Sequence, residues 1–443
     1  MRKRVGVLEL LHPTGAQSGT AVIGDHVPAA LIGDETVDAG ADLVVVDATA
    51  GTRELARVVA AAAANAIVVV FGRQSARRRA IATLTPMGFG LTRPGIAVRA
   101  RGSVGPTLAV AGGRSNADRS LLEPVGGRRA RLRGAGFTVC APESAEPLAA
   151  WLPGPRDAAV VIRTSWRGPD ESAVAWRLSG GNARVVAKLG LGSETVNVGD
   201  REAAAVATLG PHARAAGART PELQATTTVA GRTAALLTSL QGRPLAQTSR
   251  HSLERAADAA VAWLGRFVAC TSASARADAV IADAILGPAR QAIAGLDGGG
   301  VYLDELHALA AAVGETVMPV AATHGDLTLW NVLEGELPGI VDWEGARAVA
   351  PPLVDLPYLL VDVRSTASRR GGRVDAFMRC FPEDRPTLDT STARAITGLE
   401  LPSAVVELAF HACWLEHAAN ERRHGVDGPF REILRIIAGR AQS

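Results

Sequence analysis

The sequence predicts an α/β region followed by an α+β region, and three observations carry that expectation. Over residues 1–150, short β-branched apolar runs alternate with Ala-rich helical stretches. From residue 158 to 240, strands follow one another across turns and a single helix interrupts them. Beyond residue 241, apolar residues recur at helical spacing. At 443 residues the chain is too long for one ordinary core, so two or three units are expected. A hydrophobic content of 47% with 21% charged residues is that of a globular chain, not a disordered one.

In the first region, "RVGVLELL" (4–11), "LVVVD" (43–47), "AIVVVFG" (66–72) and "TLAVA" (107–111) read as strands. The stretches "RELARVVAAAAAN" (53–65) and "SARRRAIATLTPMG" (75–88) read as helices between or after them. Continuous apolar strands separated by helices indicate βαβ units and a parallel sheet. The general shape is that of a Rossmann-like α/β domain over residues 1–150. A dinucleotide fingerprint is missing, because G-x-G-x-x-G should follow the first strand directly, whereas "HPTGAQSGTAVIGD" spaces its glycines differently. Asp47 closes "LVVVD" as a turn-forming acid, and no ligand is assigned to this domain.

The Pro- and Ala-rich stretch 141–159 reads as a linker. After it, "AAVVIRTSW", "SAVAWRLSG", "ARVVAKLG", "ELQATTTVAG" and "RTAALLTSL" are strands of an antiparallel sheet, and "GDREAAAVATLG" (199–210) is the intervening helix. "HSLERAADAAVAWLGRFVACT", "DELHALAAAVGE" and "LPSAVVELAFHACWLEHAANERRHG" are helices, the last ending at Gly425.

Composition excludes several classes of function. A net charge of +3 is small for this length, so no nucleic-acid surface is expected. Lys3 and Lys188 are the only lysines against 45 arginines, which makes an interior lysine conspicuous. The four cysteines lie far apart with no C-x-x-C pair, which suits a reducing cytoplasm better than a disulfide framework or a zinc site. The N-terminus breaks at Pro13 and Gly15 without a long apolar run, and the longest apolar stretch, residues 58–72, is too short to span a bilayer. A cytoplasmic chain without membrane contact is expected.

The stretch "THGDLTLWNVLEGELPGIVDWEGA" (323–346) sets two aspartates, an asparagine and a histidine beside β-structure in an apolar chain. Burying such groups unpaired is costly, so either they satisfy one another or a ligand does. Asn331 follows Asp326 by five residues, and Asp342 follows Asn331 by eleven. An Asp and an Asn on one tight loop, then an Asp at the end of a short hairpin, can converge on one point. Phosphoryl transfer needs that arrangement: one carboxylate accepts the proton of the attacking hydroxyl, while an amide oxygen and a second carboxylate hold the metal at the phosphates. Magnesium prefers hard oxygen ligands and keeps several waters, so two protein ligands suffice.

This motif resembles the H-x-D-x-x-x-x-N catalytic loop and metal-binding Asp of the protein kinase superfamily. With Gly325 and "IVDWE" it is closer to the aminoglycoside phosphotransferase branch, which includes choline kinase-like and sugar kinase-like enzymes. The resemblance covers residues 158 to 443, about two-thirds of the chain. It implies a bilobal protein kinase-like (aminoglycoside phosphotransferase-like) fold, with an N-lobe over 158–240 and a helical C-lobe over 241–443. It also implies that Asp326 is catalytic and that Asn331 and Asp342 are the Mg2+ ligands.

Upstream order agrees with the resemblance. Lys188 in "ARVVAKLG" stands where V-A-I-K sits in a kinase and would pair the α/β-phosphates, with Glu202 on the next helix as its partner. "RTAALLTSLQGRPLA" resembles the hinge, so backbone groups near Ser239 and Leu240 would meet the adenine of ATP or GTP. The phosphate-covering turn reads "RGPDES", whose single glycine, Gly168, departs from the family pattern and puts the mode of phosphate cover in doubt; Ser172 or nearby backbone is its substitute. Asp355 matches a family Asp that supports the catalytic segment, or is a helix N-cap. His324 is expected to bond backbone around the loop, and Trp330 to lie in the core. Trp343 and Glu344 replace the Phe-Gly of D-F-G. Glu416, His417 and Glu421 lie on a helix that lines the acceptor pocket in the resembled family, though a solvated face is the simpler expectation.

The sequence therefore points to an ATP-dependent phosphotransferase acting on a hydroxyl of a small molecule: a sugar, amino sugar, aminoglycoside or amino alcohol. Two other readings stay open. One is a nucleotide-binding pseudokinase with a regulatory role. The other is a chain whose N-terminal domain carries the main activity, for instance methyl transfer.

Overall fold

The computed structural model describes residues 10–11, 20–23, 41, 43–48, 52–62, 66–71, 74–87, 89, 91–99, 106–110, 135–141, 149–155, 158–164, 172–178, 183–191, 198–314, 317–368, 372–382, 398–423 and 425–441. These fall into two compact units, one drawn from 1–203 and 222–239, the other from 204–221 and 240–443.

The first unit is built on an 11-stranded sheet in the order β1-β2-β3-β6-β4-β5-β7-β8-β9-β11-β10. Strands β1 (Thr20–Ile23), β2 (Leu43–Asp47) and β3 (Ile67–Phe71) are parallel neighbours, with helices α1 (Thr52–Ala61) and α2 (Gln74–Leu84) following β2 and β3. Both β2 and β3 are buried along their whole length. Coverage of both faces is why they read as unbroken apolar runs rather than as alternation.

The sheet does not stay parallel, as the sequence pattern had suggested. Strands β4 (Leu91–Arg99), β5 (Pro106–Val110) and β6 (Ala135–Ala141) join it in antiparallel pairs. Only residues 100–105 separate β4 from β5, too few for the crossover that parallel strands require. Leu10 and Leu11, expected in a first strand, lie instead in a buried helical turn, and residues 4–9 fall outside the described residues.

The sheet continues across the stretch read as a linker, since β5 pairs with β7 (Ala159–Thr164). Within that stretch, residues 149–155 are tied down by a buried arginine. Arg177 Nε donates to the Leu152 carbonyl and Nη2 to the Ala149 carbonyl, both at 2.8 Å. Strands β8 (Ser172–Leu178), β9 (Val185–Gly190), β10 (Leu223–Val229) and β11 (Arg232–Thr238) complete the sheet antiparallel, as the turn-separated pattern predicts. Helix α3 (Val198–Ala215) is the helix expected between β9 and β10.

The second unit is mostly helical: α4 (Arg250–Thr271), α5 (Ala277–Ile281), α6 (Gly287–Ala292), α7 (Gly299–Val313), α8 (Leu356–Ala367), α9 (Arg373–Cys380), α10 (Ser403–Arg423) and α11 (Pro429–Arg440). Two small sheets sit among them. One orders β12 (Ala273–Arg276), β13 (Val317–Thr323) and β16 (Arg347–Ala350); the other is the hairpin of β14 (Val332–Leu333) and β15 (Gly339–Ile340). The core packs Phe377, Phe381, Phe410 and Trp414 against one another, largely edge to face, which suits their ring quadrupoles. Among the described residues, no helix is long and apolar enough to cross a membrane.

Candidate active site

In the second unit, β13 runs directly into His324-Gly325-Asp326. Gly325 has φ +80°, and a Cβ there would collide with the Gly345 carbonyl, so only glycine permits both the turn and this backbone approach. The loop bearing Asp326 is thereby laid against the turn that follows Asp342. Asp342 itself has φ +73° and ψ +60°, a left-handed conformation that Asp tolerates better than most residues, and it heads the 3-10 turn Trp343–Gly345.

Asp326 and Asn331 are brought into direct contact. Asn331 Nδ2 donates to the Asp326 backbone carbonyl at 2.9 Å and to its Oδ2 at 3.1 Å. With its NH2 group so engaged, Asn331 has only its amide oxygen to offer a cation. Asn331 carbonyl in turn accepts from Val341 N at 3.0 Å, which fixes the chain just ahead of Asp342.

Asp355, just ahead of α8, supports this loop and does not cap its helix. Its carboxylate accepts from Thr323 Oγ1 at 2.7 Å and from the backbone N–H groups of His324 and Gly325, each at 2.8 Å. His324 is fully buried, and its Nε2 donates to the Val341 carbonyl at 3.0 Å. A carbonyl can only accept, so Nε2 carries the proton. The histidine links the Asp326 loop to the strand end before Asp342, the backbone role expected of it.

Three supports escaped the sequence reading. Asp362, seven residues and two helical turns after Asp355, accepts from Leu329 N at 2.9 Å and pairs with Arg373 at 3.2 Å. The "DLPYLLVD" spacing was the available signal for it. Second, an aromatic series ties α4 to the site: Trp263 stacks on Phe267, Phe267 meets Trp343 edge-on, and Trp343 packs on the His324 ring. Third, the Arg219 guanidinium donates to the carbonyls of Leu337, Gln241 and Glu334, clamping the hairpin between Asn331 and Asp342. No local sequence pattern announces the last two.

Two expectations are corrected. Trp330 is not core; it is 50% exposed, because its neighbours Leu329 and Asn331 take the inward positions. The Glu416–Glu421 face is not simply solvated. His417 is buried, stacked on Phe430 and edge-on to Tyr358. Glu416 pairs with Arg347 and Arg423, and Glu421 accepts from Arg431 N at 2.9 Å. Burial raises the Glu421 pKa, against the backbone N–H bonds that lower it.

In the first unit, Lys188 is not an exposed edge lysine. It lies on β9, between β8 and β11, with only 6% exposure, and its Nζ is 3.1 Å from Oε2 of Glu202, which is 1% exposed. Gly199 allows α3 to approach so closely, since a Cβ there would collide with the Thr233 carbonyl on β11. Ser239 N–H is committed to the Arg184 carbonyl at 2.9 Å, so a base bound beside it would have to use other groups of Ser239 or Leu240. Of the glycine-poor turn, residues 165–171 lie outside the described residues; Ser172 is buried at the start of β8.

A kinase-like fold in the C-terminal part, carrying an Asp–Asn loop and a left-handed Asp turn, defines the class as phosphotransferase. Residues 168–386 match the sequence model of the phosphotransferase enzyme family (APH), and this part of the chain belongs to that family. Among solved structures, it is similar to an aminoglycoside phosphotransferase APH(3'')-Id from Streptomyces rimosus (17% identity, 54% of this chain and 88% of that one, TM-score 0.35). It is also similar to a choline/ethanolamine kinase family protein from Mesorhizobium loti (18% identity, 67% and 95%, TM-score 0.35). A third is a thermostable mutant of aminoglycoside phosphotransferase APH(4)-Ia in complex with ADP and hygromycin B (16% identity, 58% and 92%, TM-score 0.35). No curated protein matches the chain.

Proposed function

We propose that this chain is a small-molecule kinase that moves the γ-phosphate of ATP to an acceptor hydroxyl. The observation that carries this reading is the bonded pair Asp326–Asn331 on a loop braced against the Asp342 turn, within a segment of the phosphotransferase family.

In this reading Asp326 orients the acceptor hydroxyl and takes its proton as the oxygen–phosphorus bond forms. The bond between the γ-phosphorus and the β–γ bridging oxygen breaks, and ADP leaves. The Asn331 amide oxygen and the Asp342 carboxylate are hard oxygen donors and fit magnesium. Magnesium, when bound, would neutralise charge on the β- and γ-phosphates. Lys188, oriented by Glu202, would pair the α/β-phosphates, and the backbone at Ser239 and Leu240 would meet the base.

Calorimetric titration of ATP, with and without Mg2+, tests this, with GTP as the alternative donor. Mg2+-dependent binding that disappears in Asp342→Ala is the expected result. Asp326→Ala should still bind but not turn over. Normal turnover in that variant would sink the assignment, and absence of any nucleotide binding by the wild type would sink the whole reading.

A further inference from the structure

One cation stands beside the proposed catalytic loop. Arg373, at the start of α9, places its Nη2 3.2 Å from Asp362 Oδ1, and Asp362 Oδ2 holds Leu329 N on the loop. The guanidinium carbon lies over the Tyr358 ring at 5.5 Å from its centroid and over the Phe430 ring at 5.6 Å, a cation–π setting. A guanidinium carries five N–H donors, and the bond to Asp362 uses one. The side chain is 25% exposed. Burial works against its charge, but Tyr358, Asp362 and, least, Asp326 outweigh that and hold its pKa above the ordinary value.

Three carboxylates on α10 and in the turn after it, Glu416, Glu421 and Asp427, are already engaged. Glu416 is bridged by Arg347 at 3.5 Å and Arg423 at 3.6 Å. Glu421 is spent on the N-terminus of α11, and Asp427 pairs with Arg431 and Arg435.

We propose that Arg373 is a specificity-determining residue of the acceptor site, and that the acceptor is a neutral or anionic polyol rather than a polyamine or quaternary amine. The proposal rests on the phosphotransferase reading. The remaining N–H donors of Arg373 call for oxygen acceptors, which hydroxyl, carboxylate and phosphate groups supply. An ammonium group supplies none and is repelled by the guanidinium.

The test uses the full chain and its Arg373→Gln and Arg373→Lys variants, after Mg-ATP binding has been measured by calorimetry. ADP release is followed with neutral polyols (glucose, myo-inositol), anionic ones (glucuronate, glucose 1-phosphate) and cations (kanamycin, choline). The expected result is turnover with the polyols and none with the cations. Arg373→Gln should raise the acceptor KM about tenfold or more with a far smaller change in kcat, and Arg373→Lys should recover part of the loss for anionic acceptors. A role confined to bracing Asp362 would instead lower kcat for every acceptor alike. Kanamycin or choline proving the better substrate, an unchanged KM in Arg373→Gln, or no polyol turnover by a protein that binds ATP would each overturn the inference. Failure to bind nucleotide at all would remove the underlying reading, and this inference with it.

Discussion

Lys188 and Glu202 show what a single pair contributes at the scale of the residue. Both are almost wholly buried, and their ion pair spans 3.1 Å. Removing one partner leaves an uncompensated charge, which costs roughly 3–5 kcal/mol, whereas replacing both with apolar residues is often neutral. Lys188→Met alone should therefore lower the denaturant midpoint more than the double variant Lys188→Met/Glu202→Leu does. Equal destabilisation in the two proteins would mean that the charges are not coupled. Neither should bind ATP if Lys188 has the proposed role. Lys188 was legible in the sequence because it is one of two lysines against 45 arginines and sits on a β-branched strand. Trp330 was misread at the same scale, because a large apolar residue says nothing about which side of a tight loop it takes.

Elements carry the precision of the site. Asp355, just ahead of helix α8, and Asp362 within it reach two ends of one loop, at Thr323–Gly325 and at Leu329. Asp355→Ala removes the acceptor of two buried donors, the Thr323 hydroxyl and the His324 N–H, and each such group costs about 1–3 kcal/mol. The expected outcome is a kcat lowered by about a hundredfold or more through misplacement of Asp326, at the level a small displacement produces. ATP binding, read by calorimetry, should fall much less. A variant with wild-type kcat would show that the loop holds its shape without α8. The spacing of Asp326, Asn331 and Asp342 could be read locally, since all three lie within one loop and one hairpin. Asp362, Arg219 and the Trp263–Phe267–Trp343 series could not, because each reaches the site from another element.

At the scale of the whole molecule, stability has a pH term that the burial of one histidine supplies. Tyr302 OH lies 2.7 Å from His411 Nδ1, and burial lowers the His411 pKa to about 4. In the unfolded chain the imidazole titrates near its ordinary value, about 6.5. Between these values the unfolded chain takes up a proton that the folded one refuses, so this contribution is complete above pH 6.5 and is lost as pH falls toward 4. His411→Gln, which keeps an oxygen acceptor for Tyr302 and does not titrate, should show a shallower loss of melting temperature across that window. Identical slopes in the two proteins would refute the assignment. The sequence by itself determined the strand and helix periods, the antiparallel run of β7 to β11, and the Asp–Asn–Asp spacing, because each depends on neighbours a few residues apart. Only the tertiary structure decided that the N-terminal sheet turns antiparallel beyond β3, that Asp355 and Asp362 brace the loop, and that Arg373 pairs with Asp362. Those outcomes depend on which distant segments share a surface, and burial and charge pairing fix that only once the chain is folded.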